Sequence, residues 1–367
     1  MRFELACPAD DTALRRLLRE TPMEGDIQIT LEREPCIDFA NGIEGDRTDI
    51  LLGRPGPQRD PVAMGARTLL KSFVNGVPTQ VGYLGQLRIQ PNFRGRAGVL
   101  RSGYAALREL GRDSDDVNLF VTTIVADNLA ARRVFEAGLP GLPRYRHLGD
   151  VLSLIFPTGG RRRADAAGAE LSNARSEDMA EIAQCLARYG ERFQFAPYWT
   201  HADLVSAQRA RGLRPEDFLV ARRRSRIVGC LACWDQRKFK QIVVRRYSSR
   251  LRLVRPMWNA LAPLAGASAL PAPGSTLSIA FLSHLAVEND DVDVFSALLD
   301  AGLVRAALRG AVHAILGLAE ENPVTAAAMR LKPRNYRSRA YLVCWPEGEE
   351  AASRVDARTL HLEVAIL

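Results

Sequence analysis

Apolar and polar positions divide the chain into short strands and amphipathic helices. Leu87 and Ile89 alternate with Gln86, Arg88 and Gln90 up to Pro91, which predicts a strand end. Leu100, Tyr104, Leu107 and Leu110 then recur at helical spacing. Between them lies Arg94-Gly95-Arg96-Ala97-Gly98. A helix leaves its first N–H groups without intrahelical acceptors and exposes the positive end of its dipole, so a glycine-bearing turn at that point lets an anion approach the amides. The stretch Val81 to Leu110 therefore predicts a strand, an anion turn and a helix in direct succession.

The flanking sequence extends this pattern. Arg2 to Cys7 is strand-like, and Pro8 to Glu20 carries Leu14, Leu17 and Leu18 at helical spacing with Asp10 or Asp11 as N-cap. Strands are predicted over Asp49 to Gly53 and Val62 to Phe73. Asn75-Gly76 is a hairpin signal that pairs Leu69 to Val74 with Gln80 to Leu87. Leu119 to Val125 predicts a further strand, followed by a helix opening at Asn128.

The second half repeats the first. Ile279 to Glu288 (IAFLSHLAVE) lines up with VGYLGQLRIQ, setting Phe281 against Tyr83, Leu285 against Leu87 and Val287 against Ile89. A helix near Phe295, an apolar strand from Ala311 to Ala319, and Asn322-Pro323 as N-cap and first helical residue follow in the same order. At the position of the anion turn, however, the second copy has Glu288, Asn289, Asp290, Asp291 and Asp293, whose carboxylates would repel a phosphate. Pro157 to Glu170 lacks apolar periodicity and carries turn formers and charge. With 367 residues to accommodate, the expected organisation is 1–158 as a first domain, 159–171 as a linker, and 172–367 as a second domain without an anion loop.

The run L-R-I-Q-P-N-F-R-G-R-A-G resembles the acyl-CoA signature of the GNAT N-acyltransferase superfamily, in which an R/Q-x-x-G-x-G/A turn after the fourth strand holds the pyrophosphate of coenzyme A. VNLFVTTIVADNLAARRVFEAG resembles the family's fifth strand and its N-x-x-A helix, opening at Asn128 and Ala131. The resemblance implies an α/β (α+β) fold of two tandem GNAT-like domains, each a mixed, mostly antiparallel sheet flanked by helices, the second degenerate. It also implies acetyl-CoA or another acyl-CoA as cosubstrate and an amine acceptor that attacks the thioester directly. Residues assigned to the cosubstrate are Leu87, Arg88, Ile89, Arg94, Gly95, Arg96, Ala97, Gly98, Val99, Asn128, Ala131 and Phe135. Arg94 fits the first motif position, but the fourth is Ala97 and the sixth Val99, with Gly98 between them. Either the loop is one residue longer or Ala97 fills a glycine role.

The family's carboxylate on the fourth strand is missing from Val81 to Gln90, and its usual tyrosine, seven residues after Asn128, is Phe135. Backbone amides around Leu87 to Ile89 remain as oxyanion donors. Tyr145 and Tyr83 are the acid candidates, with a packed aromatic role as the alternative for each; Glu24, with Asp26 beside it, is the base candidate, with an exposed surface carboxylate as the alternative. A non-catalytic acyl-CoA-binding regulator is the main competing reading.

A net charge of +8 raises nucleic-acid binding, yet no zinc-finger spacing, RNA-recognition aromatic motif or basic heptad accompanies the basic runs, so this reading ranks last. Cys230 and Cys233 fall three apart in a strand pattern and would face opposite ways, which argues against a metal or redox pair. No metal is expected, and His284 reads as a core or edge histidine. With no signal peptide and no run of membrane-spanning length, a cytoplasmic protein without a membrane partner is expected. Homo-oligomerisation is left open.

Overall fold

The computed structural model describes residues 1–56, 59–114, 117–159, 165–166, 168–262 and 269–367, with the side chains of residues 97 and 112–114 outside that description. The first half runs β1 (Arg2–Leu5), α1 (Asp11–Glu20), β2 (Ile27–Glu32), α2 (Ile37–Glu44), β3 (Arg47–Arg54), β4 (Ala63–Val74), β5 (Val77–Ile89), α3 (Ala97–Ser114), β6 (Phe120–Val125), α4 (Leu129–Glu136) and β7 (Arg144–Pro157). The second runs β8 (Glu170–Asn173), α5 (Met179–Gly190), α6 (His201–Leu204), β9 (Phe218–Arg223), β10 (Arg226–Trp234), β11 (Gln241–Tyr247), α7 (Ser249–Leu261), β12 (Ile279–Val287), α8 (Val292–Leu308), β13 (His313–Ala319), α9 (Thr325–Met329), β14 (Arg334–Cys344) and α10 (Glu349–Ser353).

Twelve strands form one sheet in the order β1-β3-β4-β5-β6-β14-β7-β13-β12-β10-β9-β8. Read inward from either end the order is the same, so the halves are related by a pseudo-twofold through the central pair β14 and β7. The last strand of each half has crossed over: β14 pairs with β6 of the first half, and β7 pairs with β13 of the second. Most pairs are antiparallel, whereas β5 with β6 and β12 with β13 are parallel. The mixed tandem sheet expected from the sequence is present, with the two halves continuous through exchanged strands. Outside it, β2 and β11 pair with each other and bridge the halves.

Local chemistry explains the elements. Asn75 and Gly76 adopt φ of 53° and 81°, as a tight hairpin needs, and join β4 to β5. α1 buries Leu14, Leu17 and Leu18, the face predicted from spacing. Asp10 receives the Cys7 amide at 3.0 Å instead of capping α1 with its side chain. α8 is apolar nearly all round because it lies in the core, with Phe295, Leu298 and Leu303 fully buried; each such side chain stabilises by roughly 1.5–3 kcal/mol. Cys230 and Cys233 sit on opposite faces of β10, one in the core under α5 and the other in the core under α8.

Two boundaries differ from expectation. Glu170 and Leu171 belong to β8, and of the predicted linker residues 160–164 and 167 lie outside the described residues. Asn322 accepts the Val324 amide at 3.1 Å, so it forms a turn one step ahead of α9 and does not open that helix with Pro323.

Candidate active site

The repeat is matched at a single distorted residue in each half. Gln86 in β5 and His284 in β12, opposite each other in the sequence alignment, both have φ of 53°. Each marks a bulge, where pairing to the neighbouring antiparallel strand shifts register. A non-glycine residue at positive φ in a strand redirects its amide and interrupts the ladder.

Beside each bulge the parallel pair opens. β5 and β6 pair at Gly82 with Phe120 and at Tyr83 with Val121, after which they diverge. Thr122 Oγ1 donates to the Leu84 carbonyl at 2.6 Å and the Tyr83 hydroxyl meets Thr123 Oγ1 at 2.8 Å, which closes the narrow end. Past these pairs β5 and β6 are not paired, and β5 continues through Leu87, Arg88 and Ile89 toward the turn into α3. That turn has Gly95 at φ 73°, and neither Gly95 nor Gly98 would place a Cβ within 4 Å of another group. Arg94, Gly95, Arg96 and Gly98 are exposed while Val99 is buried, so the backbone at the head of this 18-residue helix is accessible. α3 has no acidic residue in its first turn. The predicted role of the Ala97 side chain lies outside the described residues.

The second copy is closed at both places. Asp291 caps α8 by accepting the Asp293 and Val294 amides, each at 3.1 Å, and pairs with Arg223. Its cleft is filled by the chain itself: Glu363 Oε2 accepts the His284 backbone N–H at 2.8 Å, and Val364 packs against Gly317. Exposure follows, since Leu87 is 41% exposed and its counterpart Leu285 is 3% exposed. The Glu363 carboxyl on His284 N–H shows that such a bulge amide donates to an oxygen brought into the cleft.

At the first bulge the side chains are charged. The Gln86 side-chain amide donates to Glu44 Oε2 at 3.1 Å, while Glu44 Oε1 lies 2.5 Å from Arg33 and 3.6 Å from Lys240. Lys240 also donates to the carbonyl oxygens of Ala365 and Leu367, each at 3.0 Å. Burial lowers its ammonium to about 8, against the pull of Glu44. Burial and the nearby Arg33 and Arg94 lower Arg88 to about 10. Glu44, Lys240 and Gln86 were not singled out in the sequence. The signals were faint: a carboxylate in the apolar run FANGIEG, and one of four lysines in an arginine-rich chain.

The predicted residues divide into two groups. Leu87, Arg88 and Ile89 lie at the end of β5, Arg94, Gly95 and Arg96 in the turn, and Gly98 and Val99 in the first turn of α3. Asn128 caps α4 by accepting the Ala131 amide at 3.1 Å, next to the end of β6. Phe135 stacks on Tyr145 with ring centroids 4.8 Å apart, and the Tyr145 hydroxyl bonds to that of Tyr104 at 2.5 Å inside the core between α3, α4 and the sheet. Burial raises the Tyr145 phenol well above its ordinary range and pushes Tyr83 up to about 12. Glu24 is not at the bulge; it is exposed and paired with Arg94 at 2.9 Å, beside the turn.

No protein-family model and no curated protein sequence matches the chain. Solved structures do match along nearly its whole length. A GCN5-related N-acetyltransferase from Sphaerobacter thermophilus is 14% identical, with 93% of this chain and 94% of that one covered at a TM-score of 0.54. N-myristoyltransferase of Saccharomyces cerevisiae with bound myristoyl-CoA is 12% identical, with 98% and 85% covered at 0.59. A GCN5-related N-acetyltransferase from Anabaena variabilis is 11% identical, with 93% and 72% covered at 0.51. The chain thus has the fold shared by these N-acyltransferases, and the match spans both halves.

Proposed function

We propose that this protein is an acyl-CoA-dependent N-acyltransferase with one working site, in the cleft of its first half. The observation that carries the proposal is the continuous path from an exposed glycine-arginine helix N-terminus, along the open edges of β5 and β6, to the Gln86 bulge. Amides and arginines at the turn suit a pyrophosphate. Strand edges suit the two amides of a pantetheine arm. The bulge amide then faces the thioester carbonyl.

In this reading a neutral amine attacks the carbonyl carbon, the C–N bond forms, and the Gln86 N–H takes the developing oxyanion as His284 N–H takes Glu363. Collapse breaks the C–S bond, the thiolate leaves, and the proton released by nitrogen passes to Glu44. No covalent enzyme intermediate is required. The groups packed behind the bulge are Glu44, Arg33 and Lys240, so a long apolar acyl chain would displace buried ion pairs whereas acetyl would not. Acetyl-CoA is therefore the proposed donor. The second half closes the cleft from the far side and shapes the acceptor site.

Thiol release from acetyl-CoA with a panel of amines tests this. Turnover is expected with at least one amine, at a kcat lowered about 100-fold in Glu44→Gln without loss of coenzyme A affinity. Binding without turnover against every amine class would favour the regulator reading, which Phe135 at the family's tyrosine position supports.

A further inference from the structure

The helix that follows β11 has its amphipathic pattern turned outward. On a surface helix apolar residues normally face the core and polar residues face water. α7 has no buried residue, and its half-buried inner row is Leu251, Arg255 and Asn259, polar at two of the three positions. Arg255 donates to the Leu270 carbonyl at 3.1 Å with its guanidinium over the Tyr247 ring, and Asn259 exchanges two hydrogen bonds with the Leu270 backbone, at 2.9 and 2.8 Å. The outer row is Leu253, Met257 and Leu261, four residues apart and 78%, 63% and 55% exposed, with Val254 and Trp258 on the adjoining row.

The charged residues of this stretch of sequence have one sign, and a nearby carboxylate from outside it is that of Asp26, whose backbone carbonyl accepts the Ser248 N–H at 2.8 Å at the start of α7. From Gln236 to Val287 the sequence contains eight Lys or Arg and no Asp or Glu. Arg245 is neutralised by Glu32 from β2. Arg246, Arg250 and Arg252 are exposed, and among the described residues none of them lies within 4.0 Å of a carboxylate.

We propose that α7 is an interfacial helix that docks this protein on an anionic phospholipid bilayer. Leu253, Met257, Trp258 and Leu261 enter the boundary between headgroups and acyl chains, and Arg246, Arg250 and Arg252 meet lipid phosphates. The pattern fits lipid better than the alternatives. An isologous contact between two copies would bring the same arginines face to face, whereas a nucleic acid would leave the outermost leucines and methionine against a polar backbone. The absence of a spanning segment does not bear on this, because the helix lies on the surface: no helix among the described residues is long and apolar enough to cross a membrane.

The test is flotation of the full chain with large unilamellar vesicles of phosphatidylcholine alone or mixed equally with phosphatidylglycerol. At least tenfold greater partitioning onto the anionic vesicles is expected, weakened by salt, and Leu253→Glu combined with Met257→Glu should reduce it at least tenfold with melting temperature and coenzyme A affinity unchanged. Equal partitioning onto both vesicles, or undiminished binding by the double variant, overturns the proposal. So does a solution dimer that the double variant dissolves, which would assign the face to a second copy, or a salt-dependent shift of duplex RNA without vesicle binding. Coenzyme A affinity is measured independently, so failure here leaves the transferase reading standing.

Discussion

Leu87 and Leu285 hold equivalent places in the two halves, yet the first is open and the second covered by the segment that carries Glu363. That glutamate is buried against the His284 amide, and burial pushes its carboxyl up to about 7. A carboxyl whose folded-state pKa exceeds its ordinary 4.5 binds its proton more tightly in the fold, so its contribution is present at low pH and is lost as pH rises through about 7. His284 and His361, which burial lowers to about 3 and about 4, act in the opposite sense by losing stability as pH falls below 6.5. Both histidines remain in Glu363→Gln, which also keeps a neutral acceptor for the His284 N–H. Chemical denaturation should therefore find the variant equal to wild type near pH 4 and progressively more stable up to pH 8, by at most about 3 kcal/mol. A difference independent of pH would mean that the Glu363 carboxyl titrates alike in the folded and unfolded chain, which would contradict this reading.

At the scale of elements, the exchange of β7 and β14 is the feature that local sequence could not disclose. Alternation, the Asn75-Gly76 hairpin and the helical spacing of Leu100 to Leu110 are carried by residues near each other, and each was legible. Which strand lies beside β6 depends on a partner more than 200 residues away, and Ser338 paired with Val125 has no local marker. The same holds for β2 with β11, and for Glu44 meeting Lys240, brought together only by tertiary packing. The bulges were legible in part: the alignment set Gln86 against His284, but nothing in either side chain announced φ of 53°. Exchange has a consequence for dissection. Residues 1–158 alone would expose the edges of β6 and β7 that β14 covers, so this fragment should aggregate or self-associate, whereas 1–158 and 172–367 expressed together should copurify one to one. A monomeric, cooperatively melting 1–158 would contradict the importance of the exchanged strand.

For the molecule as a whole, the two halves are one open and one closed version of a single architecture. The open half keeps glycines and arginines at its helix N-terminus, while the closed half places Asp291 there and fills its cleft with its own C-terminal segment. The central claim is that coenzyme A binds the open half at the turn into α3. Titration calorimetry of coenzyme A against wild type and Gly98→Asp measures it directly, because a Cβ at Gly98 meets nothing within 4 Å and the added carboxylate opposes the phosphates without disturbing the core. Binding at one site per chain in wild type, weakened at least tenfold in a variant of unchanged melting temperature, is the predicted result. No binding at millimolar coenzyme A, or equal affinity in both proteins, would contradict it.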